Sequence, residues 1–114
     1  MPIMIVLSLV LNIAVLIPVC AGLLTNAAWV RQSYGDHTPA RSILLSIYIS
    51  ILLASSLLLI VSRPEAASAL LFVQIVYKIT TPFTVRTFKN PVVISNLLIA
   101  AFHTATLLTV WRSF

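Results

Sequence analysis

Residues 39–61 read PARSILLSIYISILLASSLLLIV. After Arg41 no charge interrupts the stretch as far as Val61. At 1.5 Å per residue a helix of that length spans the roughly 30 Å hydrocarbon core of a bilayer. The interior holds Ile, Leu, Ser and one Tyr, and no residue that breaks a helix. Thr38 before Pro39 places a capping hydroxyl ahead of a proline at the first helical position. The stretch therefore reads as a membrane-spanning helix with a defined start.

Working outward, three more stretches have the same character. Residues 2–24 form the first segment, which would run on to Val30 if Trp29 sat at the interface. Residues 64–85 form the third, the most polar of the four. Residues 91–111 form the fourth. Asn90-Pro91 repeats the cap-then-proline start, and Arg63-Pro64-Glu65 puts an acid in a first turn, where the helix dipole favours it. Pro18 and Pro82 lie late in their segments and predict a kink or an end there. Arg31–Thr38 is expected to be the one substantial loop, with a turn at Gly35-Asp36. The connections near Ser62-Arg63 and Thr87–Asn90 are very short, which forces neighbours to run antiparallel. The fold class expected is an all-α membrane protein: one domain over residues 1–114, four transmembrane helices in an up-down-up-down bundle.

Composition agrees. Of 114 residues only 8% are charged, against roughly 25% in soluble domains. Apolar residues make up 61%, and the mean hydropathy is +1.11. A soluble enzyme, a disordered tail and a disulfide scaffold do not have this composition. Cys20 is the single cysteine and cannot form an intrachain bridge. The net charge of +5 comes from scattered residues with no cluster of four or more, so neither nucleic acid nor polybasic lipid binding is expected. The first segment lacks the basic start and small-residue cleavage site of a signal peptide, and is expected to remain.

The charges instead predict orientation. Arg31, Arg41, Arg86 and Lys89 flank the first and third connections, and Lys78 lies within snorkelling reach of that side. Arg63 and Arg112 lie on the other. The bias places residues 31–38 and 86–90 in the cytoplasm and both termini outside. No Arg- and Ser-rich transit segment opens the chain, which favours a bacterial inner (plasma) membrane over an organellar one.

Polar side chains inside the spans are the candidate functional positions, since each needs a partner in hydrocarbon. Asn12, Gln74 and His103 lie roughly 16–20 Å from the side of the third connection, near the midplane. Lys78 and Asn96 lie roughly 10 Å in and form a second pair nearer the interface. Gln74 and Lys78 are four residues apart, as are Ser8 and Asn12, and Asn96 and His103 are seven apart. Each pair occupies one helical stripe. The second segment carries only hydroxyls (Ser46, Tyr48, Ser50, Ser55, Ser56) and is expected to face lipid most. Two readings of the midplane layer stand side by side. It is interhelical hydrogen-bond glue, or it lines a ligand or transport path. For Lys78 the alternatives are snorkelling and pairing with a partner subunit or lipid headgroup.

His103 also offers an axial nitrogen among small neighbours (Ala100, Ala101, Thr104, Ala105). A five-coordinate chlorin, or a haem shared across a dimer, is the cofactor such a residue would take. Otherwise no cofactor and no metal is expected. No Asp or Glu lies within a span, and no nucleophile–His–acid set or ligand cluster is present, so enzymatic activity is not expected. The size and helix count are similar to those of the small multidrug resistance transporters. That resemblance implies an acidic residue in the first helix, where this chain has Asn12, which does not titrate. The resemblance covers helix count only. Fluoride channels of similar size are glycine-rich, whereas this chain has two glycines.

Two functions follow as expectations. One is a small non-catalytic accessory or assembly subunit of a larger membrane complex. The other is a small homo-oligomeric transporter or channel lined by Asn12, Gln74 and His103. The partners expected are the lipid bilayer and either other membrane subunits or further copies of the chain.

Overall fold

A computed structural model describes residues 1–113, with the side chain of Ser113 outside the description. It is all-helical: α1 (Ile3–Thr25), α2 (Ala28–Tyr34), α3 (Pro39–Val61), α4 (Pro64–Val85) and α5 (Pro91–Val110), followed by a 3-10 turn at Trp111–Ser113. α1, α3, α4 and α5 are each long and apolar enough to cross a membrane. The molecule measures 43 × 27 × 19 Å. Its long axis approaches the roughly 40–45 Å of a bilayer with its headgroup layers.

The starts are made by the residues the sequence points to. The Thr38 hydroxyl accepts from the Arg41 N–H at 3.2 Å, and the Asn90 side chain accepts from the Val92 N–H at 2.8 Å. Pro39, Pro64 and Pro91 occupy the first helical turn, where a missing N–H costs nothing. The ends share another device. Asn26, Ser62 and Arg86 take the left-handed conformation, and each N–H bonds a carbonyl four residues back.

Two expectations change. α1 does not continue to Val30: Asn26 at φ 53° ends it, and the N–H groups of Asn26 and Ala27 both bond Gly22 O. The chain then starts a new helix, so residues 28–34 are helical and the loop shrinks to residues 35–38. The reason is packing. Val30 is fully buried, and α2 folds back over α1 at Gly22. A side chain at Gly22 would collide with the Trp29 indole and stand 2.8 Å from Val30 Cγ2. Neither proline ends its helix on the spot: α1 runs seven residues past Pro18, and α4 runs three past Pro82.

α1 packs chiefly on α3, and α4 on α5, while α1 also meets α2, α4 and α5. The core has two apolar parts. Leu16, Cys20, Leu23, Val30, Tyr48 and Ile51 form one. Ile5, Leu9, Ala67 and Val110 form the other. Asn12 falls between them along α1. The outer faces carry Ile60, Phe83, Leu98 and Leu108, all well exposed and suited to lipid. α3 is the least buried of the long helices, yet Arg41, Tyr48, Ile51 and Ser55 are buried. Arg41 sends Nη1 to the Gly35 carbonyl at 3.0 Å, so this side chain anchors the loop.

Gly22 sets the position of α2, which gives a direct check. Gly22→Leu should push α2 off α1 and cost about 1–3 kcal/mol, typical of overpacking. In a Trp111→Phe background, Trp29 emission should shift to the red and its acrylamide quenching should rise. Unchanged Trp29 spectra would mean that α2 is not held at Gly22.

Candidate functional site: a polar layer and a lysine-floored cavity

Asn12 is the hub of the buried polar layer. Its Nδ2 donates to Gln74 Oε1 at 2.7 Å and to Ser55 Oγ at 3.1 Å. Its Oδ1 accepts from Gln74 Nε2 at 3.1 Å and lies 2.9 Å from His103 Nε2. A carbonyl oxygen only accepts, so His103 Nε2 carries the hydrogen in this arrangement. A primary amide has two donors and room for two accepted bonds, and Asn12 uses them all. Asn12, Ser55, Gln74 and His103 are all almost fully buried. The structure thus brings together the three residues that depth arithmetic placed at one height, and α1, α3, α4 and α5 each contribute one member.

Ser55 is the member that sequence reasoning set aside, because α3 carries only hydroxyls and reads as lipid-facing. Depth along α3 does not single it out: Ser55 lies roughly 24 Å from the Pro39 end and roughly 9 Å from the Val61 end, well off the middle of the helix. Thr106 was also missed. Its hydroxyl sits 2.7 Å from Ser8 Oγ, one turn from the hub on both α1 and α5, and both side chains are fully buried. The signal was present, since Thr106 lies three residues after His103 on the same stripe. Thr also satisfies its own hydroxyl on the Phe102 carbonyl at 3.1 Å, which makes it an unremarkable residue in a helix.

Lys78 and Asn96 meet as a separate pair. Lys78 Nζ donates to Asn96 Oδ1 at 3.0 Å and lies 4.9 Å from the centre of the Tyr77 ring. Lys78 is only 5% exposed. Both residues line a cavity of about 350 Å³ whose other walls include Val15, Val19, Trp29, Tyr34 and Val92. A neighbouring cavity of about 280 Å³ shares Tyr34, Tyr48, Val92 and Asn96 with it. α2 and the start of α5 form the rim, tied together where Asn90 Nδ2 donates to the Ser33 carbonyl at 2.9 Å.

The donor set at His103 does not fit a macrocycle. Its Nε2 is taken by Asn12, its ring has no exposed surface, and Nδ1 is buried without a partner. An axial bond would require breaking the layer. Among the described residues no three His, Cys, Asp or Glu side chains come together as a metal site. No protein-family model matches the chain, and no curated protein or solved structure is significantly similar to it.

If the layer is a mutual hydrogen-bond set, Asn12→Leu leaves Ser55, Gln74 and His103 short of partners at once. It should destabilise the protein by about 1–3 kcal/mol. A double-mutant cycle with Gln74→Leu, read by unfolding in mixed micelles, should return a coupling of about 0.5–2 kcal/mol. Additive losses would show that Asn12 and Gln74 do not act on each other.

Proposed function

We propose that this chain is a small non-catalytic integral membrane protein that works as an accessory or assembly subunit of a larger membrane complex. The observation that carries the reading is that Asn12 spends all of its hydrogen-bonding capacity on Ser55, Gln74 and His103. An amide filled from three neighbouring helices makes a brace. A transport path needs polar groups with capacity left for a passing solute. What remains on the outside is an apolar surface such as Ile60, Phe83 and Leu98 offer, suited to lipid and to other membrane helices.

The topology that suits this role is up-down-up-down. The pairings of Ser8 with Thr106 and of Asn12 with His103 support it, because numbers rise along α1 as they fall along α5. The two-residue link after α3 and the five-residue link after α4 support it as well. The Lys and Arg bias then puts residues 35–38 and 86–90 in the cytoplasm of a bacterial cell, with the chain in its inner membrane.

Native mass spectrometry of the tagged chain, extracted gently from its own membranes, tests the function. Other subunits co-purifying in fixed ratio are expected. A monodisperse form of the chain alone that moves a solute across liposomes, with flux abolished by Gln74→Leu and His103→Leu, would overturn the reading and restore the transporter.

Orientation has its own check. In a Cys20→Ala background, a membrane-impermeant maleimide added to spheroplasts should label Glu65→Cys and spare His37→Cys until the membrane is permeabilised. The reverse pattern would invert the topology.

A further inference from the structure

Lys78 is a buried cation without a buried anion. The chain has two carboxylate side chains, Asp36 and Glu65. Asp36 is exposed in the loop before α3. Glu65 opens α4 thirteen residues before Lys78, roughly 20 Å away along the helix. Among the described residues, the one hydrogen bond that Lys78 Nζ makes is to the neutral carbonyl of Asn96. An ammonium has three donors, so two remain, and the Tyr77 ring offers only its face. Asn96 spends its oxygen on Lys78 and keeps its own N–H donors. A buried charge is costly unless it is paired, and here the unpaired charge lines a cavity.

The shape and position of that cavity narrow what fits. Its volume of about 350 Å³ is within the roughly 300–1,000 Å³ range of ligand pockets. Lys78 and Asn96 line it with Gln32, Ser33 and Ser95, and Lys78 is the one charged group among them, while Val15, Val19 and Val92 supply apolar wall. Trp29, half exposed at the rim, is the residue type that settles at headgroup depth. Arg31, Arg86 and Lys89 are exposed on α2 and on the α4–α5 connection, which form this end of the molecule. They supply a positive field that draws anions toward it.

We propose that this cavity binds a phosphate oxyanion, with Lys78 Nζ and Asn96 Nδ2 as donors, carried on the headgroup of an anionic glycerophospholipid. The glycerol and first acyl carbons lie against Val15, Val19 and Val92. The site stands whether or not the chain is a subunit of a complex, because every group it uses belongs to this chain. Inorganic phosphate shares the chemistry of the head but has nothing to place against the apolar walls.

The test uses the full chain in a neutral detergent, with Trp111→Phe leaving Trp29 as the sole indole. Dioctanoyl phosphatidylglycerol, dioctanoyl phosphatidylcholine and inorganic phosphate are each titrated while Trp29 emission is read. A saturable change with phosphatidylglycerol is expected, with phosphatidylcholine and inorganic phosphate weaker by about tenfold or more. Lys78→Met should weaken phosphatidylglycerol by about the same factor, and Lys78→Arg should restore most of it. Val92→Phe, which fills the cavity and leaves the Lys78–Asn96 pair in place, should also abolish the change, and it serves if Lys78→Met does not fold. Equal affinity for inorganic phosphate would keep the oxyanion site and assign it to a soluble source. No saturable change, equal affinity for phosphatidylcholine, or binding indifferent to both Lys78→Met and Val92→Phe would overturn the proposal.

Discussion

Asn12 spends both donors and both acceptor positions inside the bundle, and the rest of the packing is organised around that point. In hydrocarbon there is no apolar driving force between helices, because lipid chains are as apolar as Leu. Direction and register have to come from elsewhere. One amide that bonds a residue on each of α3, α4 and α5 fixes the heights of all four long helices. The apolar clusters above and below it, around Leu9 and around Leu16, then pack within limits that the amide sets.

Each polar rung follows from the one beside it. Ser8 and Thr106 lie a turn from Asn12 and His103, so they meet once the hub is formed. Lys78 lies a turn from Gln74 in the other direction and Asn96 two turns from His103, and they meet in the same way. The rungs differ in how complete they are. Asn12 has no capacity left, whereas Lys78 keeps two N–H groups and a charge that nothing in the span neutralises. That difference separates what holds the molecule together from what is left to meet something else, and it moves the functional candidate from the midplane to the end near α2.

The four spans were readable because each is a long apolar run, three of them begin on a proline, and the caps at Thr38 and Asn90 mark two of the starts. The polar heights were readable because a helix converts residue number into depth at a fixed rate. The break at Asn26 was not, since the left-handed turn there depends on what α2 gains by packing Trp29 and Val30 over Gly22, a contact between segments. Ser55 was missed for a related reason. A serine in a lipid-facing helix commonly bonds its own i−4 carbonyl, as Ser46, Ser50 and Ser56 do here. Only the neighbour across the interface distinguishes the one that does not.

α2 shows how such a contact reaches function. Without it, the region around Lys78 would open directly to the headgroup layer, and a lysine there could extend to water as other near-interface lysines do. Val30 buries into the α1–α3 core, Trp29 covers Gly22, and Asn90 holds the Ser33 carbonyl. Together they lay a short helix across the end of the bundle and turn an open groove into a cavity with a rim. The lysine is then enclosed but unpaired, and a charge in that position is stabilised most by an anion that brings its own apolar body. The loop residues that read as a simple connection in the sequence therefore decide whether Lys78 is a surface cation or the floor of a site.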